Sequence, residues 1–138
     1  PAELKALLRP IADGDADLVI GARRAVEDGA LRPMQRAGNR LATLLIWQRH
    51  GHRYADLGSM RAIRADALPR LAQRETGHGW PVEMQLRALA CGLRVREVPI
   101  CYRRRRAGKS KVSGNWRGAL RAGATILRLV LTSPRVAP

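Results

Sequence analysis

The sequence predicts an α/β fold, a mixed sheet with helices packed against it, and three observations carry that expectation. An amphipathic run at the N-terminal end is followed by an acidic turn. A short unbroken apolar run comes next, Asp17-Leu18-Val19-Ile20-Gly21, which is the pattern of a strand covered on both faces. A second helical run, opened by Trp80-Pro81 and closed at Gly92, leads into the clearest strand of the chain, over residues 93–102. Finally, 138 residues with 46% apolar content suffice for one domain with its own core and leave little room for two.

The elements follow in order. Pro1 suits a first helical turn, and Leu4, Leu7, Leu8 and Ile11 recur at helical spacing up to a break expected near Pro10. Asp13-Gly14-Asp15 stops that helix, and the buried strand follows. Residues 22–33, with Gly29, Pro33 and mixed charge, read as a loop that starts at Arg23-Arg24, beyond the carboxyl end of the strand, where ligands of open α/β sheets bind. Residues 34–49 form a longer helix whose Leu41, Leu44, Leu45 and Trp47 are expected to face the core, while Arg36, Asn39 and Arg40 make its first half polar. A polar turn over residues 56–59 precedes a short strand near Met60 to Ile63. Asp66 is the expected cap of a short helix over residues 66–73. Pro99 marks the strand over residues 93–102 as an edge or a bulge. The last helix spans residues 115–132, within a terminal amphipathic segment 113–132, and residues 133–138 are a tail.

The charge is large and local. Lys and Arg number 26 against 11 Asp and Glu, a formal charge of +15, and 23 of the basic residues are Arg. Ten of the 26 basic residues, eight Arg and two Lys, fall in residues 94–121 beside one acid, whereas residues 1–30 hold four basic and six acidic residues. Such a concentration favours a site for an anion over a uniformly charged surface, and Arg is the residue that recognises phosphate bidentately. No segment reaches the about 18 apolar residues of a membrane span, and no signal-peptide pattern opens the chain. Cys91 and Cys101 are too few for a disulfide framework or a zinc site and read as reduced, semi-buried thiols, consistent with the cytoplasm. His50, His52 and His78 have no metal-ligand spacing and read as surface or loop residues. Trp47, Trp80 and Trp116 read as packing groups.

Four clusters could carry chemistry. In Arg106-Ala107-Gly108-Lys109-Ser110-Lys111 the glycine lets the backbone bend near an anion, Ser110 offers a hydroxyl, and the cations neutralise phosphate oxygens. It is no P-loop, because Arg103 stands where that pattern needs glycine. Asp56, Ser59 and Arg61 form a second cluster, which either positions an acceptor group or merely shapes an Asx turn. Glu83 is the third: it lies in the first turn of its helix, where a carboxylate is favoured electrostatically whether or not it acts on a substrate. Trp80 and Gln85 flank it. In the last helix Trp116, Leu120, Leu127 and Leu131 share a face edged by Arg117, Arg121 and Arg128, which suits an interfacial membrane helix and an ordinary packed helix equally.

Taken in order, six segments resemble the second half of a family 2 glycosyltransferase, in the branch of dolichol-phosphate mannose synthase and bacterial polyprenyl-phosphate enzymes. They are Ala16-Asp17-Leu18-Val19-Ile20-Gly21-Ala22-Arg23, Arg36-Ala37-Gly38-Asn39-Arg40, Asp56-Leu57-Gly58-Ser59-Met60-Arg61-Ala62-Ile63, Gly79-Trp80-Pro81-Val82-Glu83-Met84-Gln85, Gly92-Leu93-Arg94-Val95-Arg96-Glu97-Val98-Pro99-Ile100 and Arg106-Ala107-Gly108-Lys109-Ser110-Lys111. The resemblance implies the C-terminal part of a glycosyltransferase A-type fold over residues 1–132. It also implies inverting transfer of a sugar from a nucleotide-diphosphate donor to a polyprenyl or dolichyl phosphate, or to a sugar, at the cytoplasmic face of a membrane. It casts Asp56 and Glu83 as catalytic candidates. Arg23, Arg36, Asn39, Arg40, Arg106, Lys109, Ser110 and Lys111 become phosphate-binding residues, and Ser59, Arg61, Trp80 and Gln85 the acceptor side. A divalent metal, Mg²⁺ or Mn²⁺, is implied as well, with its ligands expected upstream of this chain and none within it. The nucleotide-binding half is missing from the sequence, so the piece is expected to be inactive alone. Two readings from other classes stand beside this one. They are a basic nucleic-acid-binding module, which lacks any recognition motif here, and a peripheral module bound to an anionic membrane surface.

Overall fold

The computed structural model describes residues 2–25, 33–77, 79–103 and 116–133. Its elements run α1 (Ala2–Ala12), β1 (Leu18–Ala25), α2 (Pro33–His50), β2 (Arg61–Ile63), a single 3₁₀ turn (Pro69–Leu71), α3 (Trp80–Ala90), β3 (Val95–Tyr102) and α4 (Trp116–Thr132). The sheet has the order β2-β1-β3, with β2 antiparallel and β3 parallel to the central β1. The predicted mixed sheet with flanking helices is therefore present, and β3 is an edge of the described sheet, as Pro99 implies.

β1 is buried on both sides because successive side chains of a strand point to opposite faces. Leu18 and Ile20 enter the main core with Ile46 of α2, Met84 and Leu86 of α3 and Val130 of α4. Val19 points the other way, onto Leu7 of α1 and Ala16. The strand also runs four residues beyond the expected end at Gly21. Parallel pairing from Leu18↔Val95 to Ala25↔Tyr102 supplies a continuous ladder, and those hydrogen bonds keep Arg23 and Arg24 in strand although their composition suggests a loop.

Three further expectations are corrected. α1 continues past Pro10 to Ala12, because a proline one turn from the end removes a single backbone bond, and its carbonyl still accepts the amides of Asp15 and Ala16 at 2.9 and 3.0 Å. The helix expected over residues 66–73 is only the 3₁₀ turn. Asp66 does not cap it, since Arg64 Nε donates to its carboxylate at 2.6 Å, and Ala72 ends the turn in the left-handed region at φ 44°. The outward face of α2 is the third correction. Leu41, Leu44 and Trp47 of α2 are 59, 42 and 39% exposed; Leu45 packs against the core as expected, and Ala42 and Ile46 are the buried residues of this helix's apolar side. On α4, Leu120, Leu127 and Leu131 are 63, 44 and 54% exposed while Val130 is 1%.

The end of α3 follows expectation. Gly92 stands at φ 65°, a conformation that costs other residues, and its amide and that of Leu93 return to the carbonyls of Leu89 and Ala88. Cys91 and Cys101 are free thiols, the second exposed rather than semi-buried. Among the described residues no helix is long and apolar enough to cross a membrane.

Candidate functional site

The last residues of β1, the first half of α2 and the loop before β2 meet in an open cleft of about 140 Å³, lined by Arg23, Gln35, Arg36, Asn39, Ala55 and Asp56. Its centre is a two-pronged ion pair. Arg23 Nε and Nη2 each donate to a different oxygen of Asp56 at 2.7 Å, and the backbone amide of Arg23 adds a third bond at 2.9 Å. The hydrogen bond to Asp56 raises the pKa of the Arg23 guanidinium further, against the partial burial that would lower it. The fork uses one edge of the guanidinium, so its Nη1 end is turned away from Asp56. The ring of Tyr102, the last residue of β3, lies 5.6 Å from the guanidinium carbon.

The loop that presents Asp56 is fixed from several sides. Asn39 Oδ1 accepts the amide of Leu57 at 2.9 Å, and the carboxylate of Glu97 on β3 accepts the amides of Ala55 and Asp56 at 2.8 and 3.1 Å. Gly58 lies against the carbonyl oxygen of Gly21, which would stand 2.0 Å from any Cβ added there, so only glycine allows the loop to close over the strand. Arg61 is turned inward and ties the loop to α3. Its guanidinium donates to the carbonyls of Gly58 and of Pro81, the latter at 2.8 Å, and sits 5.5 Å from the Trp80 ring centre. Burial lowers its pKa from 12.5 to about 10, which leaves it charged at neutral pH.

The cleft thus brings together Arg23, Arg36, Asn39 and Asp56 from the sequence reading. Arg40 and Ser59 are both exposed and stand outside the lining. Glu83 is elsewhere: it borders a separate groove of about 230 Å³ between α3 and α4 with Leu86, Arg87, Ala90, Cys91 and Leu129. Both of its oxygens are engaged, by the amides of Arg74 and Glu75 at 2.8 to 3.2 Å and by Arg87 Nε at 2.7 Å. Burial pushes its pKa up, but these donors together outweigh burial and hold the carboxyl below its usual value.

Gln85 is fully buried, which removes it from any acceptor surface, and its amide nitrogen and oxygen have no partner among the described residues. His50, expected at the surface, is buried and bonded to Ser133 Oγ at 3.0 Å. Trp47 and Trp80 are both more than a third exposed, and Arg53 lies 3.8 Å over the Trp47 ring. Arg106, Lys109, Ser110 and Lys111 lie outside the described residues, as does His78. Glu97, Gln35 and Tyr102 are the site residues that the sequence reading missed. The one acid in a strand whose other charged residue is Arg96 was the available signal for Glu97.

The chain matches no protein-family model and no solved structure. Over 108 residues, 78% of its length, it is 38% identical to an uncharacterized glycosyltransferase of Mycobacterium tuberculosis, of which it covers 50%. Over 129 residues it is 32% identical to the undecaprenyl-phosphate mannosyltransferase of Micrococcus luteus, covering 83% of this chain and 49% of that protein. A low-salt glycan biosynthesis hexosyltransferase of Haloferax volcanii is 34% identical over 104 residues, 72% of this chain and 25% of that protein. The chain spans about half the length of the first two relatives.

Proposed function

Since the chain belongs to the glycosyltransferases by homology over most of its length, we propose that it is the acceptor side of an inverting, family 2, glycosyltransferase A-type enzyme that transfers a sugar from a nucleotide-diphosphate donor to a polyprenyl phosphate. The observation that carries this reading is the build of α2. Its first half lines the anion cleft through Gln35, Arg36 and Asn39, and its outward face continues into the exposed Leu41, Leu44 and Trp47. An amphiphile with a phosphate head and a long apolar tail fits that order of groups, and an anionic membrane surface fits the Arg residues around it.

The state of the acids supports an ionised acceptor. A hydroxyl acceptor needs a general base with an available lone pair within reach of its proton. In this structure the carboxylate of Asp56 is taken by Arg23, and that of Glu83 by two amides and Arg87. A lipid phosphate carries its negative charge already and needs no such base. Arg23 and Arg36 then stabilise charge on a phosphate in the cleft, Asp56 holds Arg23 in place, and Asn39 fixes the loop. Among the described residues no three His, Cys, Asp or Glu side chains group to hold a metal ion, and Asp56 is occupied by Arg23, so the residues present do not fit the divalent metal. Its ligands are proposed to come from outside this stretch, and the chain alone is proposed not to turn over substrate. The enzyme is proposed to work at the cytoplasmic membrane face.

Flotation with neutral phosphatidylcholine vesicles, with and without a few per cent of polyprenyl phosphate, tests the reading. Polyprenyl phosphate should increase the bound fraction, and Arg23→Gln with Arg36→Gln should abolish that increase. Binding that ignores the phosphate in the wild-type chain would sink the proposal.

A further inference from the structure

The loop that carries Asp56 belongs to no strand or helix, yet three consecutive amides in it are each held by a side chain from another element. The amide of Leu57 goes to Asn39 of α2, and the amides of Ala55 and Asp56 go to the two oxygens of a single carboxylate, Glu97. Glu97 stands opposite Ile20 in the parallel pairing of β1 and β3, the longest ladder in the sheet, so its backbone is anchored where the molecule is best paired. One amide it grips is that of Asp56 itself, whose carboxylate in turn grips Arg23 through both oxygens.

We propose that Glu97 is a positioning residue for the anion cleft: its carboxylate aims Asp56 at Arg23, and through that pair it sets the direction in which the guanidinium faces a bound phosphate. The proposal rests on reading the cleft as a phosphate site. Glu97 is absent from the cleft lining and acts through the backbone of Ala55 and Asp56, which do line it.

The sign of the effect separates this role from bulk electrostatics. A carboxylate close to an anion site opposes anion binding, so if charge were all that Glu97 contributed, neutralising it would tighten binding. A positioning role demands the opposite. In Glu97→Gln the side-chain carbonyl can still accept one amide, but its NH₂ group then meets the second N–H, donor against donor. The loop turns, Asp56 loses its aim, and Arg23 loses its fork.

The experiment is calorimetric titration of the chain with inorganic pyrophosphate, at one low ionic strength, alongside ¹⁵N NMR of the Arg23 Nε–H group. The variants are Arg36→Gln, Glu97→Gln, Asp56→Asn and the last two combined. Circular dichroism checks each for folding. Glu97→Asp, which keeps the charge and shortens the reach, replaces Glu97→Gln should that variant not fold. Glu97→Gln is expected to weaken pyrophosphate about tenfold and to move the Arg23 Nε–H resonance, and to add almost nothing in the Asp56→Asn background. Unchanged or tighter binding, an unmoved Arg23 resonance, or multiplying effects of Glu97→Gln and Asp56→Asn would each overturn the positioning role. Failure of the cleft reading looks different: Arg36→Gln would leave pyrophosphate affinity intact, while the Arg23 resonance still responds to Glu97→Gln.

Discussion

Asp17 shows how a single acid can tie three strands together at one end of the sheet. Its side chain is almost wholly covered. It accepts from the side chain and backbone amide of Arg94 at 2.9 to 3.1 Å and pairs with Arg64 at 3.0 Å, while its own amide donates to the Arg94 carbonyl at 2.8 Å. The hydrogen bonds from Arg94 lead, burial opposes them, and the attraction of Arg94 and Arg64 adds to them, so the pKa falls from 3.8 to about 2. A depressed carboxylate stabilises the fold at pH values above its unfolded pKa, and that contribution is lost as pH falls through the folded value. The midpoint of thermal unfolding should therefore drop between pH 4 and pH 2 more steeply in the wild-type chain than in Asp17→Asn. Parallel profiles for the two would show that Asp17 is not the linked group.

At the scale of elements, α4 has two apolar faces, and only one of them packs. Ile126, Leu129 and Val130 meet the core, while Leu120, Leu127 and Leu131 lie between about a sixth and a half of a turn away, beside Arg121 and Arg128. The two sets should separate by experiment. Val130→Ala should cost about 2 kcal/mol by leaving space in the core, read from denaturant unfolding. Leu120→Asp with Leu127→Asp should leave stability within about 0.5 kcal/mol and abolish binding to anionic vesicles. A large loss of stability from the exposed pair would mean that this face is covered within the chain.

The same helix shows what was legible in the sequence. Periodicity located the helix and its polar stripe, because spacing is a local property. It could not say which of two apolar stripes faces inward, because that depends on where the sheet lies. β1 was legible as an unbroken apolar run, but its extension through Arg23 and Arg24 was not, since the bonds that hold it come from β3, some 75 residues on. The cleft divides the same way. Arg23 and Asp56 are 33 residues apart and were associated only through the resemblance, and the grip of Glu97 on their loop left no sequence pattern beyond a single acid among basic neighbours.

For the whole molecule, the charge and a span of about half the length of the first two relatives have to be considered together. A net +15 attracts any polyanion, nucleic acid included, with an affinity that falls steeply as salt rises. The proposed lipid-phosphate reading differs from plain polyanion binding in that charge lies beside outward apolar faces, on α2 and α4, and that the cleft contains an arginine locked to an acid. Such a surface can hold an acceptor, but transfer also requires a donor sugar to be bound and oriented against it, and positioning of the two reactants supplies much of the rate. Besides the groove between α3 and α4, the described residues offer an open cleft of about 140 Å³ at the Arg23–Asp56 pair. Among them no three His, Cys, Asp or Glu side chains group to hold a metal, and the chain covers about half of the Mycobacterium and Micrococcus relatives. Incubation of this chain with a panel of nucleotide sugars, Mn²⁺ and polyprenyl phosphate should accordingly yield lipid-linked sugar only at background level, although the same preparation floats with vesicles that carry the acceptor. Adding single-stranded or duplex DNA at moderate salt should not strip it from those vesicles. Robust transfer by the chain alone would show that donor binding and acceptor binding are both built from these 138 residues, and the division of labour proposed for the cleft would have to be abandoned.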